Sequence, residues 1–153
     1  MKTFLTITLL SIIFSGCSKH SAFSDFNLTE TQERSEDSIQ SVKIYNGTKT
    51  VGLLSSIYLN RVYPQRYKDG EYFYIYLYAK NTSENLDFYL NSNSIVKIEK
   101  LKPKNEFSNL TSPTEAWKEY YLVKFQKEGK ILTLEVKNSQ VSSFPMVFKK
   151  DEE

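Results

Sequence analysis

The chain has 153 residues, with 20 Lys and Arg against 18 Asp and Glu, a formal net charge of +2, one Cys and one His. That length holds one ordinary domain; one Cys excludes a disulfide framework and a Cys-based zinc site, and one His excludes multi-His metal centres. So even a charge balance gives no basic field of the kind nucleic-acid binders need, and the distinctive count is aromatic, 11 Tyr and 10 Phe.

Taken in chain order, a basic start at Lys2 precedes an apolar run over residues 4–14 (FLTITLLSIIF). The run is too short for a bilayer core of about 30 Å at about 1.5 Å per residue. With small residues after it, it reads as a secretory signal peptide over 1–16. Ser15-Gly16-Cys17 resembles the lipobox of bacterial lipoproteins, an aliphatic residue and two small residues before Cys, with Phe14 where that family usually has Leu. The resemblance implies cleavage before Cys17 and lipidation of its thiol, palmitate-type chains included. Several acyl chains on one residue give the multiple membrane signals that stable anchoring needs. Ser18 follows, not the Asp associated with inner-membrane retention. The implied location is therefore the bacterial cell envelope, at the outer membrane, facing the periplasm or the surface.

Residues 17–40 are polar, with too little apolar surface to offset ordering entropy. They are expected to form a lipidated flexible tether with a span of roughly 25 Å. A short helix near residues 29–38 is the rival, since Thr29-Glu30-Thr31-Gln32 fits a capping box. It lacks an apolar stripe, and the tether is the preferred reading. Within the tether, Asp25-Phe26-Asn27-Leu28-Thr29 resembles the extended acceptor of bacterial N-glycosylation, which makes Asn27 a possible glycosylation site.

Residues 41–148 read as strands. Residues 42–45 alternate and Asn46-Gly47 turns. Residues 53–63 form a second strand with a bend, and 64–70 a loop. Residues 71–80 (EYFYIYLYAK) are β-branched and aromatic without a breaker, the strongest strand. Shorter strands follow at 86–90 and 94–101. Residues 120–126 and 131–136 flank Lys127-Glu128-Gly129-Lys130 as a hairpin. Residues 141–148 contain Pro145 and so suit an edge. Seven to eight short strands with frequent turns predict an all-β domain, a single antiparallel immunoglobulin-like β-sandwich, with a small β-barrel as the alternative. Residues 149–153 are a charged tail.

Ser112-Pro113-Thr114-Glu115 has an N-cap, a Pro at the first helical position and an acidic third residue, the signature of one helical turn. Tyr121 then resembles the corner tyrosine of immunoglobulin-like folds, whose hydroxyl ties back to the preceding loop. The pattern over 41–148 is similar to small immunoglobulin-like lipoproteins of Gram-negative bacteria. The absent disulfide and the position of Trp117 depart from antibody-type domains.

Alternate strand residues share a face. In residues 71–80 one row is Phe73, Ile75, Leu77 and Ala79, expected in the core. The other is Tyr72, Tyr74, Tyr76 and Tyr78, expected outside. If residues 120–126 are the neighbouring strand, Tyr120, Leu122 and Lys124 join the outer row, and Tyr121, Val123 and Phe125 point inward. The tyrosines can stiffen the sheet through cross-strand pairs, with partial cover from a loop such as residues 102–111. They can also form a candidate interaction face for another envelope protein or for self-association.

His20 lies in the tether and Cys17 is expected to be acylated, so the domain has neither imidazole nor thiol for catalysis. No glycine-rich phosphate loop or fixed carboxylate pair is present. The expectation is a non-catalytic, lipid-anchored envelope protein without cofactor or metal, which binds an envelope protein or stabilises an envelope assembly. The alternative is a periplasmic glycan- or peptide-binding module. A small ligand calls for a concave pocket, and a protein partner for a flat exposed face.

Overall fold

Period-two patterning becomes antiparallel strands in this chain. A computed structural model describes residues 29–79, 86–111 and 115–150. The signal segment, Cys17, Asn27, residues 112–114 and residues 151–153 lie outside the described residues.

Ten strands make the sheet: β1 (Ile39–Asn46), β2 (Lys49–Tyr58), β3 (Glu71–Ala79), β4 (Asp87–Leu90), β5 (Asn93–Ser94), β6 (Lys97–Leu101), β7 (Glu119–Phe125), β8 (Ile131–Lys137), β9 (Ser142–Ser143) and β10 (Met146–Lys149). Two helical segments, α1 (Glu30–Asp37) and α2 (Leu59–Val62), and a 3-10 turn at Ser108–Leu110 complete it. Neighbours run β5-β4-β8-β9-β1-β2-β3-β7-β6, all antiparallel, and β10 pairs with β8 off this path. The sheet curls on itself into a half-barrel. The all-β expectation holds. The strand count exceeds seven to eight partly because β5 and β9 are two-residue ladders, too short to carry an alternating pattern.

The first hairpin follows its sequence signal. Asn46-Gly47 joins β1 to β2, and Gly47 takes φ 58, a left-handed conformation that a side chain would strain. β2 was expected to bend; instead it ends at Tyr58, and the chain continues as the helical turn α2 with Leu59 and Val62 buried.

Burial divides β3 into its two rows. Phe73, Ile75 and Leu77 sit in an inner core with Ile44, Leu54, Phe88, Val123, Phe125, Leu134 and Phe148, between the arms of the curled sheet. Val123 and Phe125 point inward as expected, and Tyr121 packs against the same cluster. Each such side chain contributes about 1.5–3 kcal/mol by leaving water.

Three expectations need correction. Residues 30–37, expected to be flexible tether, form α1. The Thr29 side chain accepts from the Gln32 backbone, and the Gln32 side chain accepts from the Thr29 backbone N–H at 2.9 Å, a complete capping box. The absent apolar stripe misled the sequence reading. α1 docks through small residues instead: Ser35 is buried, and its hydroxyl lies 3.4 Å from the carbonyl of Leu110. β1 likewise begins at Ile39, inside the expected tether.

The second correction concerns residues 141–148. Pro145 interrupts them as expected, and β10 pairs with β8 alone and so stands at an edge, but β9 lies inside the path between β8 and β1. The far side of β10 meets Gln40, whose amide donates to the Val147 carbonyl and accepts from the Val147 N–H. A side-chain amide thus satisfies backbone groups that an open edge would expose.

The third is the corner tyrosine. The hydroxyl that ties back to the preceding loop belongs to Tyr120. It accepts from the Glu115 N–H at 2.8 Å and donates to the Glu115 carbonyl at 3.1 Å. Tyr121 donates to the Glu119 carboxylate at 2.7 Å. Tyr120 faces the segment that crosses over the sheet, whereas Tyr121 faces the inner core.

Candidate functional site

The strand pairing behind the expected interaction face is the observed one. Tyr72 lies opposite Lys124, Tyr74 opposite Leu122, and Tyr76 opposite Tyr120. Its exposure is not. Tyr74 is 0 % exposed and Tyr120 1 %, and with Ile57, Leu59, Val62, Tyr67, Phe107 and Leu110 they form a second core. Tyr72, Tyr76 and Leu122 pack at its margin, half-buried.

The cover comes from α1, α2 and residues 102–111, the loop that the sequence reading considered as partial cover. Phe107 inserts over the stripe with its ring 5.1 Å from that of Tyr74. Asn105 holds the loop by donating to the Lys102 carbonyl at 2.8 Å and to the Tyr74 hydroxyl at 3.3 Å. Burial pushes the Tyr74 hydroxyl up to about 12, and raises that of Tyr76. The tyrosine row therefore cannot act as a flat docking face. Its exposed remainder is Tyr78, whose ring meets the exposed Trp117 edge-on at 5.3 Å. At the other end, Lys124 joins Asp69 at 2.6 Å over the Tyr72 ring; this hydrogen bond and that of Tyr72 hold the Asp69 carboxyl below its usual value.

A concave feature lies beside the start of β3. A cleft of about 820 Å³ opens between the α2–β3 loop, residues 63–70, and the β7–β8 connection, residues 126–130. The expected hairpin there is not formed: β7 pairs with β3 and β6, and β8 with β4, β9 and β10, so these residues cross from one arm of the sheet to the other. Its floor is built on Glu71, which is 1 % exposed. The Glu71 carboxylate accepts from the Tyr58 hydroxyl at 2.6 Å, the Glu128 N–H at 3.0 Å and the Lys150 ammonium at 2.5 Å. Lys150 also donates to the Glu128 carbonyl at 2.7 Å. One buried carboxylate thereby fastens β2, the β7–β8 connection and the end of β10 to one point. A buried charge is tolerable only when paired and hydrogen-bonded in this way.

The other wall is fixed through Asn60. Its amide donates to the Tyr67 carbonyl at 3.1 Å and the Gly70 carbonyl at 2.6 Å, and accepts from the Tyr72 N–H at 2.8 Å. Gly70 is required by space: a Cβ there would stand 2.5 Å from the Phe125 carbonyl oxygen. Among the described residues, the cleft lining includes the cations Arg61, Lys68, Lys127, Lys130 and Lys150 and the carboxylates Glu71 and Glu128. The Glu128 carboxylate is engaged by the Asn91 and Asn93 amides. Tyr67 also lines the cleft, 7 % exposed, with a buried hydroxyl that has no hydrogen-bond partner among the described residues.

From the sequence Lys127-Glu128-Gly129-Lys130 read only as a hairpin and Lys150 only as part of a charged tail, whereas Lys150 is held by Glu71 and Glu128; Asn60, Tyr67 and Glu71 were not singled out. Glu71 and Lys150 are 79 positions apart, and only the closure of the sheet brings them together. The available signal was a charged residue opening an otherwise apolar strand, which read as a strand boundary. Among the described residues, no group of three His, Cys, Asp or Glu side chains could hold a metal ion, and no helix is long and apolar enough to cross a membrane.

No known protein family matches this chain, and no curated protein or solved structure is significantly similar to it.

Proposed function

We propose that this chain is a lipid-anchored, non-catalytic binding protein of the bacterial cell envelope, at the outer membrane, facing the periplasm or the surface. The observation that carries the reading is the sole Cys, placed directly after the short apolar run and Ser15-Gly16. In this reading Cys17 bears the acyl chains, and residues 18–28 link it to a domain that begins at α1. The domain is of the immunoglobulin-like sandwich class, its two arms joined into one curled sheet. It binds or stabilises another envelope protein through surfaces other than the buried centre of the tyrosine row.

Mass spectrometry of the N-terminal peptide from native membranes tests the anchor. A diacylglycerol-modified Cys17 and release of Cys17→Ser from the membrane fraction are expected. An unmodified Cys17 in the membrane-borne protein would end the reading.

A second reading, a module that binds a small ligand, is favoured by one observation. The tyrosine face is covered, whereas the cleft above Glu71 is open and of ligand size at about 820 Å³.

A further inference from the structure

We infer that two copies of this chain pair edge to edge through β6, as a symmetric antiparallel continuation of the sheet. The inference rests on the reading of the chain as a partner-binding protein, and it names the surface and the partner.

The edge is the first argument. β6 ends the strand path and pairs with β7 alone, so among the described residues its other side meets no strand. Such an edge presents backbone N–H and C=O groups to whatever strand approaches. No residue of β6 is buried. Ile98 lies opposite Val123, a residue of the inner core, yet is 40 % exposed where the sheet stops. Val96, just before β6, is 54 % exposed.

The second argument is charge. Lys97 and Glu99 share the face of β6 opposite to that of Ile98. Both are exposed, and neither has an ion-pair partner among the described residues. The cross-strand neighbour of Lys97 is Lys124, which already holds Asp69, so its own sheet offers Lys97 no carboxylate. Lys100, by contrast, is taken by Glu119 at 2.8 Å.

The third argument is register. A two-fold axis perpendicular to the sheet brings residues of the same face opposite each other. Centred on Ile98, the pairing sets Ile98 against Ile98 of the second copy on the core face. On the other face it sets Lys97 against Glu99 of the second copy, twice by symmetry. Centring on Lys97, Glu99 or Lys100 instead sets a like charge against itself, which is destabilising. Edge lysines ordinarily discourage pairing, but in this register Lys97 has a carboxylate to meet. With one β6 per chain, the assembly closes at a dimer. The contact is small, so the dimer is weak in solution.

The test is sedimentation velocity of the full chain in density-matched non-ionic detergent, from low-micromolar to near-millimolar concentration. A monomer–dimer equilibrium is expected. Lys97→Glu and Glu99→Lys should each weaken it about tenfold, because one reversal acts twice in a symmetric contact. The double variant Lys97→Glu/Glu99→Lys should restore it, since the reversed charges again meet their opposites. Lys49→Glu, the same charge change at an exposed residue of β2, should leave it unchanged. All these changes fall on exposed side chains, and each variant should keep the parent's far-ultraviolet spectrum. The inference is overturned if the chain stays monomeric throughout, if it forms open-ended oligomers, or if the dimer is indifferent to the single reversals. It is equally overturned if the double variant fails to restore association, or if Lys49→Glu weakens it as much as Lys97→Glu. A monomeric chain that still captures another envelope protein would sink this inference and leave the partner-binding reading standing.

Discussion

The two faces of β3 have the same depth and different chemistry. The inner row, Phe73, Ile75 and Leu77, meets other apolar side chains from the facing arm of the sheet. The outer row places Tyr74 beneath Phe107, stacked on Tyr120 with ring centroids 6.2 Å apart. The inner core needs only shape and apolar area. The outer core must also accommodate hydroxyls; Asn105 satisfies that of Tyr74 and the Glu115 backbone that of Tyr120. Tyr is therefore no marker of exposure where a loop can bring a polar partner to its tip.

The sharpest way to break this comparison is truncation. Phe73→Ala and Tyr74→Ala should each destabilise the domain by about 3–5 kcal/mol, measured by urea unfolding. A loss within about 0.5 kcal/mol for Tyr74→Ala would place it on the surface after all. A somewhat smaller loss, about 3 kcal/mol, is expected for Glu71→Ala, which leaves the Lys150 ammonium and the Tyr58 hydroxyl without their shared acceptor. Glu71→Gln should recover part of it, because the amide oxygen still accepts. The smallest effects belong to the periphery of the outer layer. Thr29→Ala removes the capping box of α1 and should lower stability by about 1 kcal/mol. Tyr78→Ser, at an exposed site, should change it by less than about 0.5 kcal/mol. If Thr29→Ala has no effect, α1 does not contribute to the cover over the tyrosines.

The longer strands were legible because each carries its own alternation, whereas the pairing of β3 with β7 was a supposition that the register bears out. Of what covers the outer row, the loop of residues 102–111 was considered as partial cover and α1 was not. The loop buries Phe107 and Leu110, an i, i+3 pair too short to announce how completely it seals the row, and α1 docks through Ser35, a residue that reads as solvent-facing. Gln40 at the margin of β10 is hidden for the same reason, since its role depends on a neighbour 107 positions away. The cleft was the least legible feature. Lys127-Glu128-Gly129-Lys130 announces a turn whatever lies beneath it, and the buried carboxylate beneath it reads as an ordinary first residue of a strand. Local pattern reports which face a residue occupies, while the assignment of a face to solvent depends on non-local segments.

The most direct test of the second core is a spectrophotometric titration of the tyrosine hydroxyls. A free hydroxyl titrates near 10, whereas that of Tyr74 is held to about 12. The raised value belongs to the folded state. The hydroxyl's contribution to stability is thus complete below about 10, and is lost as pH rises from there through about 12. The account predicts that Tyr74→Phe removes a hydroxyl from the late part of the curve, where ionisation accompanies unfolding, and leaves the amplitude near pH 10 unchanged. A loss of amplitude near pH 10 in Tyr74→Phe would contradict it, because Tyr74 would then be ionising in contact with water.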